Sequence, residues 1–154
     1  MSDVNGAAAG ESPGGLTSTT VFRLGVLGTL AGDRFGREVE GLGLKPKHVG
    51  LLAALDLAAA ASQQELAARM GVAPSLVVSL ADTLEGLGAL QRIRDPQDRR
   101  RQVLTLTPQG RELLERCTGL ARTLDEEFTA GLTQDQRTAL AEALRVLAHR
   151  AGLP

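Results

Sequence analysis

The chain has 154 residues, enough for one domain with a hydrophobic core and too few for two ordinary domains. Its net charge of −1 disfavours a protein that coats nucleic acid indiscriminately, because such affinity comes from many summed phosphate contacts. The single cysteine, Cys117, excludes an internal disulfide and a cysteine-based zinc cluster, and the scarcity of aromatic residues disfavours the base stacking that single-stranded nucleic acid needs.

The N-terminal third of the chain predicts a tail and two helices. Residues 1–16 are rich in glycine, alanine and serine and predict a disordered tail. A long first helix is predicted from about Thr17, with Ser18 and Thr19 as alternative caps. Four interspersed glycines weaken it and let another backbone approach. After a break at residues 41–43, a second helix is predicted. Residues 57–61 are an alanine-rich connection that could hold a short third strand. The apolar stripes of the two helices are Val21, Leu24, Leu27, Ala31 and Phe35, then Val49, Leu51, Leu52 and Leu55.

Two short helices joined by a tight turn are predicted over residues 62–88. The first begins at Ser62, because Ser62 and Glu65 form a capping box, and it ends at Gly71, which favours the left-handed conformation. Pro74 suits the first turn of the second helix, whose apolar positions are Val77, Leu80, Ala81 and Leu84. This spacing indicates a helix-turn-helix.

A β-hairpin is predicted directly after the second of these helices. Residues 89–94 and 101–107 have strand-like composition, and residues 95–98 favour a turn. A run of charge is usually a solvated loop, but a basic hairpin in this position indicates contact with duplex DNA. The hairpin carries five arginines against two aspartates, namely Arg92, Arg94, Arg99, Arg100 and Arg101, with Asp95 and Asp98.

Two long helices are predicted after the hairpin. Thr107 followed by Pro108 begins one, and a capping box of Thr133 and Gln136 begins the other. One domain of this size does not need three long helices for its own core, so the surplus apolar surface predicts a second copy of the chain as partner. The stripes are Leu113, Cys117, Leu120, Leu124 and Phe128, then Leu140, Leu144, Leu147 and Ala151.

Four motifs give the chain a resemblance to a known family. They are Gln64-Glu65-Leu66-Ala67, Leu84-Glu85-x-x-Gly88, Arg94-Asp95-Pro96-x-Asp98-Arg99-Arg100 and Leu106-Thr107-x-x-Gly110. With them the chain resembles the winged helix-turn-helix regulators of the MarR (multiple antibiotic resistance regulator) family over residues 17–152. The resemblance implies one mainly α domain with a small β-hairpin wing (α+β). In it, residues 17–41 and 108–152 are dimerisation helices and residues 44–107 are the winged helix DNA-binding lobe.

The resemblance also implies a function. We expect a bacterial transcriptional regulator, in the first instance a repressor, whose homodimer binds double-stranded DNA at an inverted repeat with half-sites roughly 10 bp apart. Few polar residues lie on the second helix, so we expect thin base readout there and a larger share of the specificity from the wing and from DNA shape. Asp98 is expected to orient Arg99 or Arg100 through a salt bridge. The predicted DNA-binding residues are Gln63, Gln64, Ser75, Leu76, Val78, Ser79, Thr83, Arg94, Asp98, Arg99, Arg100 and Arg101.

Members of the family commonly respond to small, often anionic aromatic ligands, and the resemblance implies a cleft between the dimerisation helices and the lobe. The candidate residues of that cleft are Phe22, Arg23, His48, Leu52 and Cys117. His48 has an alternative role as a helix-start histidine bonded to backbone. Cys117 is either inert packing or, as a lesser alternative, a redox sensor.

Two other classes of protein are weighed against the regulator. A winged helix also occurs as a protein-interaction module, whose binding would respond weakly to salt. An enzyme fits worst, because the sequence has no nucleophile elbow, phosphate loop or metal-spaced cluster, and no cofactor is expected. No apolar run approaches the roughly 20 residues of a membrane span, and no signal pattern is present, so we expect a cytoplasmic protein without a membrane partner.

Overall fold

The computed structural model describes residues 14–153, so most of the predicted tail, residues 1–13, lies outside the described residues. A 3-10 turn at Leu16–Ser18 precedes the regular elements. These are α1 (Thr20–Glu40), α2 (Pro46–Ala58), α3 (Gln63–Met70), α4 (Pro74–Gly86), β1 (Leu90–Arg94), β2 (Gln102–Leu106), α5 (Pro108–Phe128) and α6 (Gln134–Arg150). The mainly α fold with a β-hairpin is confirmed. Among residues 14–153, none of the helices is long and apolar enough to cross a membrane.

Local hydrogen bonds begin α3 and α6 and end α3 where the sequence predicted them, whereas α1 begins at Thr20, about three residues later than predicted. The capping box of α3 is formed, with Ser62 Oγ accepting from the N–H of Glu65 at 3.2 Å and the Glu65 carboxylate accepting from the N–H of Ser62 at 2.7 Å. Gly71 ends α3 with φ of 63°. The capping box of Thr133 and Gln136 likewise begins α6. These predictions are confirmed.

Helix α1 is continuous despite its glycines. Thr19 caps it, accepting from the N–H of Phe22 at 3.4 Å. A Cβ added at Gly25, Gly28 or Gly32 would meet no described atom within 4 Å. Only at Gly36 does a side chain from another helix, Pro46 of α2, come into contact. Within one chain, the predicted close approach of another backbone does not occur at these glycines.

Helix α2 lies at the centre of the fold, because it contacts α1, α3, α4, α5 and β2. Its leucines form the middle of a single core to which every other element except α6 and the N-terminal turn contributes. Burying these side chains contributes roughly 1.5–3 kcal/mol each. The fully buried large residues are Val39, Leu44, Leu51, Leu52, Leu55, Leu66, Val77, Leu84, Leu90, Leu104 and Cys117.

The possible third strand at residues 57–61 is reduced to one pair. Ala61 and Leu104 exchange two backbone hydrogen bonds, of 3.2 and 2.8 Å. Just before this pair, Ala59 has φ of 59° and ψ of −47°, and the N–H of Ala60 donates to the carbonyl of Ala58 at 2.6 Å. This is a γ-turn, which reverses the chain and leaves no room for a longer ladder.

The start of α5 is bonded to the connection between α4 and β1. Thr107 donates through its hydroxyl to the carbonyl of Gly88 at 2.6 Å and through its N–H to the carbonyl of Ala89 at 3.1 Å. The same hydroxyl accepts from the N–H of Gly110 at 3.0 Å and so caps α5. A Cβ on Gly110 would lie 1.8 Å from the carbonyl oxygen of Ala89. The Leu-Thr-x-x-Gly motif therefore joins two segments of backbone that approach too closely for a side chain.

We expect Gly110→Ala to lower the free energy of unfolding by about 3 kcal/mol or more, because backbone must move to admit the new methyl group. Chemical denaturation monitored by circular dichroism measures this. The matched control is Gly119→Ala in the same helix, where no described atom lies within 4 Å of an added Cβ. The control is expected to gain up to about 1 kcal/mol from helix propensity. Equal effects of the two substitutions would contradict the close approach at Gly110.

Candidate nucleic-acid interface

Helix α4 buries one face and exposes the other. Val77, Leu80, Ala81 and Leu84 are buried in the lobe. The opposite face carries Ser75, Ser79 and Asp82, with Val78 and Thr83 exposed on its flanks. Thr83 donates its hydroxyl to the carbonyl of Ser79 at 3.2 Å, and Leu76 is half-buried against the core. The outward face thus offers hydroxyls and one carboxylate but no cation.

Asp82 lies on this outward face and is not among the residues that the sequence predicted to contact DNA. Its side chain is 62% exposed and lies in line with Ser75 and Ser79 on the outward face. The spacing of three and four residues between these positions was the signal that could have identified it. A carboxylate here can accept a hydrogen bond from the exocyclic amine of cytosine in a major groove.

Arg92 holds the first wing strand against α4. Its guanidinium makes ion pairs with both Asp82 and Glu85, and its side chain is only 17% exposed. Two carboxylates on one largely covered guanidinium are favourable, because charge-assisted bonds strengthen away from bulk water. Arg92 therefore belongs to the internal structure of the lobe.

Two further wing arginines, both predicted DNA contacts, also bond to the protein. Arg94 Nη1 donates to the backbone carbonyl of Arg99 at 2.9 Å, across the tip of the hairpin. Arg101 Nη2 lies 3.2 Å from Glu65 Oε1 on α3. Ser62 and then Arg101 hold the pKa of Glu65 at about 2, so the carboxylate is ionised at neutral pH.

Backbone hydrogen bonds close the wing tip. The N–H of Asp95 donates to the carbonyl of Arg101, and the N–H of Arg101 donates to the carbonyl of Asp98, both at 2.9 Å. Asp98 Oδ1 accepts from the N–H of Arg100 at 3.0 Å. The salt bridge expected between Asp98 and an arginine is not formed within residues 14–153; Asp98 orients the backbone of Arg100 instead, because its short side chain favours a local turn.

Arg99 and Arg100 differ from the other wing arginines. Both are exposed, and in the described part of the chain neither guanidinium has a hydrogen-bond or ion-pair partner. Two neighbouring cations therefore project from a closed turn and remain available to an external anion.

The predicted residues of α3 lie at its first turn, where Gln64 is exposed and Gln63 is half-buried.

A cleft of about 970 Å³ separates the end of α1 and the start of α2 from α4. Leu44, Pro46, Leu76 and Leu80 give it an apolar lining. The polar lining consists of Glu40, Lys45, Lys47, His48, Ser79 and Thr83. Among residues 14–153 no cluster of histidine, cysteine and acidic side chains could hold a metal ion. The cleft is thus suited to an organic molecule with both apolar and anionic parts.

Of the five predicted effector-cleft residues, the structure places only His48 in this cleft. His48 Nδ1 accepts from the N–H of Lys45 at 2.9 Å, and burial and then Lys45 lower the pKa of His48. The imidazole is therefore neutral at pH 7, with Nε2 left as its hydrogen-bond donor. Leu52 and Cys117 lie in the core, where burial raises the pKa of the Cys117 thiol. Phe22 and Arg23 lie near the start of α1, about 20 Å along the helix from Gly36 at the cleft.

Comparison with known proteins agrees with this geometry. Residues 42–101 match the sequence model of the MarR family. The chain is 33% identical over 105 residues to a transcriptional regulatory protein for the hcr operon of Thauera aromatica. The match covers 68% of this chain but 63% of that protein, so the chain spans less than two thirds of that relative's length.

Solved structures extend the likeness to nearly the whole chain. The transcriptional repressor CouR bound to a 23-mer DNA duplex is 31% identical, with a TM-score of 0.75, and the alignment covers 89% of this chain and 97% of CouR. CouR from Rhodococcus jostii RHA1 bound to p-coumaroyl-CoA is 25% identical, with a TM-score of 0.73 and coverages of 88% and 95%.

Proposed function

The chain belongs to the MarR family of transcriptional regulators, and we propose that it is a homodimeric repressor that binds an inverted-repeat operator and is modulated by a small anionic effector. Family membership makes it a regulator, not an enzyme. The more specific parts of this proposal rest on the arginines of the wing, the uncovered helices α1 and α6, and the cleft beside α4.

The availability of Arg99 and Arg100 is the observation that carries DNA binding. Helix α4 contains no lysine or arginine and bears Asp82 and Glu85, so it attracts phosphate poorly by itself. The wing supplies the missing positive charge at a closed, exposed turn. Arginines on such a turn suit the narrow minor groove, whose negative potential attracts them. We therefore assign phosphate or minor-groove contact to Arg99 and Arg100, and base contact in the major groove to the outward face of α4.

We expect Arg99→Ala/Arg100→Ala to lower affinity for the operator about tenfold or more and to reduce the slope of log K against log salt by about 1.8, because two phosphate contacts are lost. Fluorescence anisotropy with the promoter duplex beside the protein's own gene, at several salt concentrations, measures both.

The control Arg111→Ala/Arg150→Ala removes the same charge from exposed positions outside the wing. An equal loss in this control would show that only net charge matters. If the wild-type protein binds neither this duplex nor a random-site library at low salt, the protein-interaction alternative replaces the proposal.

Exposed apolar helices support the homodimer. No residue of α6 is buried, and its leucines Leu140, Leu144 and Leu147 are 40–45% exposed. Leu24, Leu27 and Leu30 on α1 are similarly uncovered. A helix that buries none of its apolar residues gains little from packing, and isolated helices of this length are marginal in water. A second copy would cover both helices and place two α4 helices in successive major grooves.

We expect Leu144→Glu/Leu147→Glu to produce a monomer in sedimentation-velocity experiments, because two charges would be buried without partners in the dimer interface. Operator affinity should fall when dimerisation is lost, because the single lobe of a monomer contacts only half of the repeat. The control is Leu57→Glu, at an exposed leucine on α2. A variant that stays dimeric would place the interface elsewhere.

The cleft beside α4 supports effector control. Its walls include Leu76 and Ser79, which are predicted to contact DNA, so occupancy would bear directly on the position of α4. Lys45, Lys47 and the neutral His48 are suited to a carboxylate or phosphate, and the leucines to an aromatic or acyl group. CouR, which binds p-coumaroyl-CoA, offers a first ligand to test.

We expect p-coumaroyl-CoA or free p-coumarate to bind in isothermal titration calorimetry, and Lys47→Gln to weaken that binding about fivefold through the lost charge. Arg37→Gln on α1 removes a cation that does not line the cleft and should leave ligand binding unchanged. If neither compound binds at millimolar concentration, these two candidate effectors are wrong. If Arg37→Gln weakens binding as much as Lys47→Gln, the ligand does not lie in this cleft.

Cys117 does not support the redox alternative. The thiol is 1% exposed, and burial raises its pKa, so little of the reactive thiolate is present. We therefore keep small-molecule control as the proposal.

A further inference from the structure

We propose that Glu65 is a positioning residue for the wing: through Arg101 it fixes the hairpin to α3 and so sets where Arg99 and Arg100 meet DNA. This inference rests on the DNA-binding function proposed above. It also changes the expected role of Arg101, from a DNA contact to an ion-pair partner within the lobe.

The Glu65 carboxylate connects two segments at once. Its Oε2 accepts from the N–H of Ser62 at 2.7 Å, and its Oε1 lies 3.2 Å from Nη2 of Arg101. Ser62 Oγ holds the backbone of Glu65 in return, at 3.2 Å. The capping box fixes the carboxylate to the first turn of α3. The ion pair with Arg101 is therefore made by a carboxylate whose position is already restricted.

Arg101 lies at the point where the wing tip closes. Its carbonyl accepts from the N–H of Asp95, and its N–H donates to the carbonyl of Asp98. Arg99 and Arg100 immediately precede it in the chain. A bond that fixes the Arg101 side chain to α3 therefore restricts the base of the turn that carries both available arginines.

The opposing interpretation is that Arg101 contacts a DNA phosphate and that Glu65 only caps α3. The two interpretations predict opposite signs for the removal of the Glu65 charge. If Arg101 contacts phosphate, Glu65 neutralises a useful cation and repels DNA, so its neutralisation should strengthen binding. If Glu65 positions the wing, its neutralisation should weaken binding, although a negative charge has been removed.

Glu65→Gln separates these cases, because glutamine at this position also completes a capping box while the charge on Arg101 is left without a partner. We expect the operator affinity of Glu65→Gln to fall about two- to fivefold, the range for an exposed ion pair. Arg101→Gln should cause a similar fall, and the double variant should lose little more than either single variant. The salt slope of Arg101→Gln should equal that of the wild-type protein, because no phosphate contact is lost.

Tighter binding by Glu65→Gln, or a salt slope lowered by about 0.9 in Arg101→Gln, would overturn the proposal. Ala68→Gly is the folding control, because it weakens α3 by about 1 kcal/mol through helix propensity at an exposed position and leaves Ser62, Glu65 and Arg101 in place. If Ala68→Gly weakens DNA binding as much as Glu65→Gln, the effect belongs to the stability of α3 and the proposal fails.

A measurement on the protein alone separates this proposal from DNA binding itself. Amide hydrogen exchange at Asp95 and Arg101 should accelerate about two- to fivefold in Glu65→Gln, because the closing bonds of the tip open more often. Unchanged exchange would contradict the positioning role. Failure of the wild-type protein to bind DNA would instead contradict the proposed function, whatever the exchange shows.

Discussion

The first turn of α5 lies so close to the backbone between α4 and β1 that only glycine fits at position 110. Thr107 completes the junction, since its hydroxyl bonds both the carbonyl of Gly88 and the N–H of Gly110. The end of α4, the start of the wing and the start of α5 are thereby joined at one point. Each depends on the other two for its position, so we expect a displacement of α5 to move the wing with it.

The arginines of the wing have two different roles: some bond within the lobe, and others leave their guanidinium groups exposed. Arg92, Arg94 and Arg101 bond to α4, to the opposite side of the tip and to α3, respectively. The guanidinium groups of Arg99 and Arg100 bond to no side chain or carbonyl in the described residues. The bonded arginines lower the freedom of the hairpin in the unbound protein, so under the proposed function less ordering would remain to be done when Arg99 and Arg100 contact DNA. Preorganisation of this kind would compensate for the lack of a cation on α4.

Much of the fold could be predicted because its boundaries are set by local interactions. Helix ends are fixed through atoms three or four residues apart, which are visible in sequence. These are the pairs of Ser62 with Glu65, Thr107 with Gly110 and Thr133 with Gln136, and the bond from Gly71 back to Ala67 and Ala68. The partners of the arginines were not predictable, because the choice between Glu65 and solvent for Arg101 depends on how the hairpin crosses α3. The cleft was only partly foreseen for the same reason. Spacing showed that His48 begins a helix, but the helix crossings decided that Leu52 and Cys117 lie in the core.

The bonds that close the wing tip join backbone atoms of Asp95, Asp98 and Arg101. Their formation is therefore largely independent of which side chains stand at positions 99 and 100. We therefore expect substitutions at positions 99 and 100 to leave the closing bonds of the tip in place. Under the proposed function, the closed tip would allow the groups presented to DNA to change while the hairpin that carries them is kept.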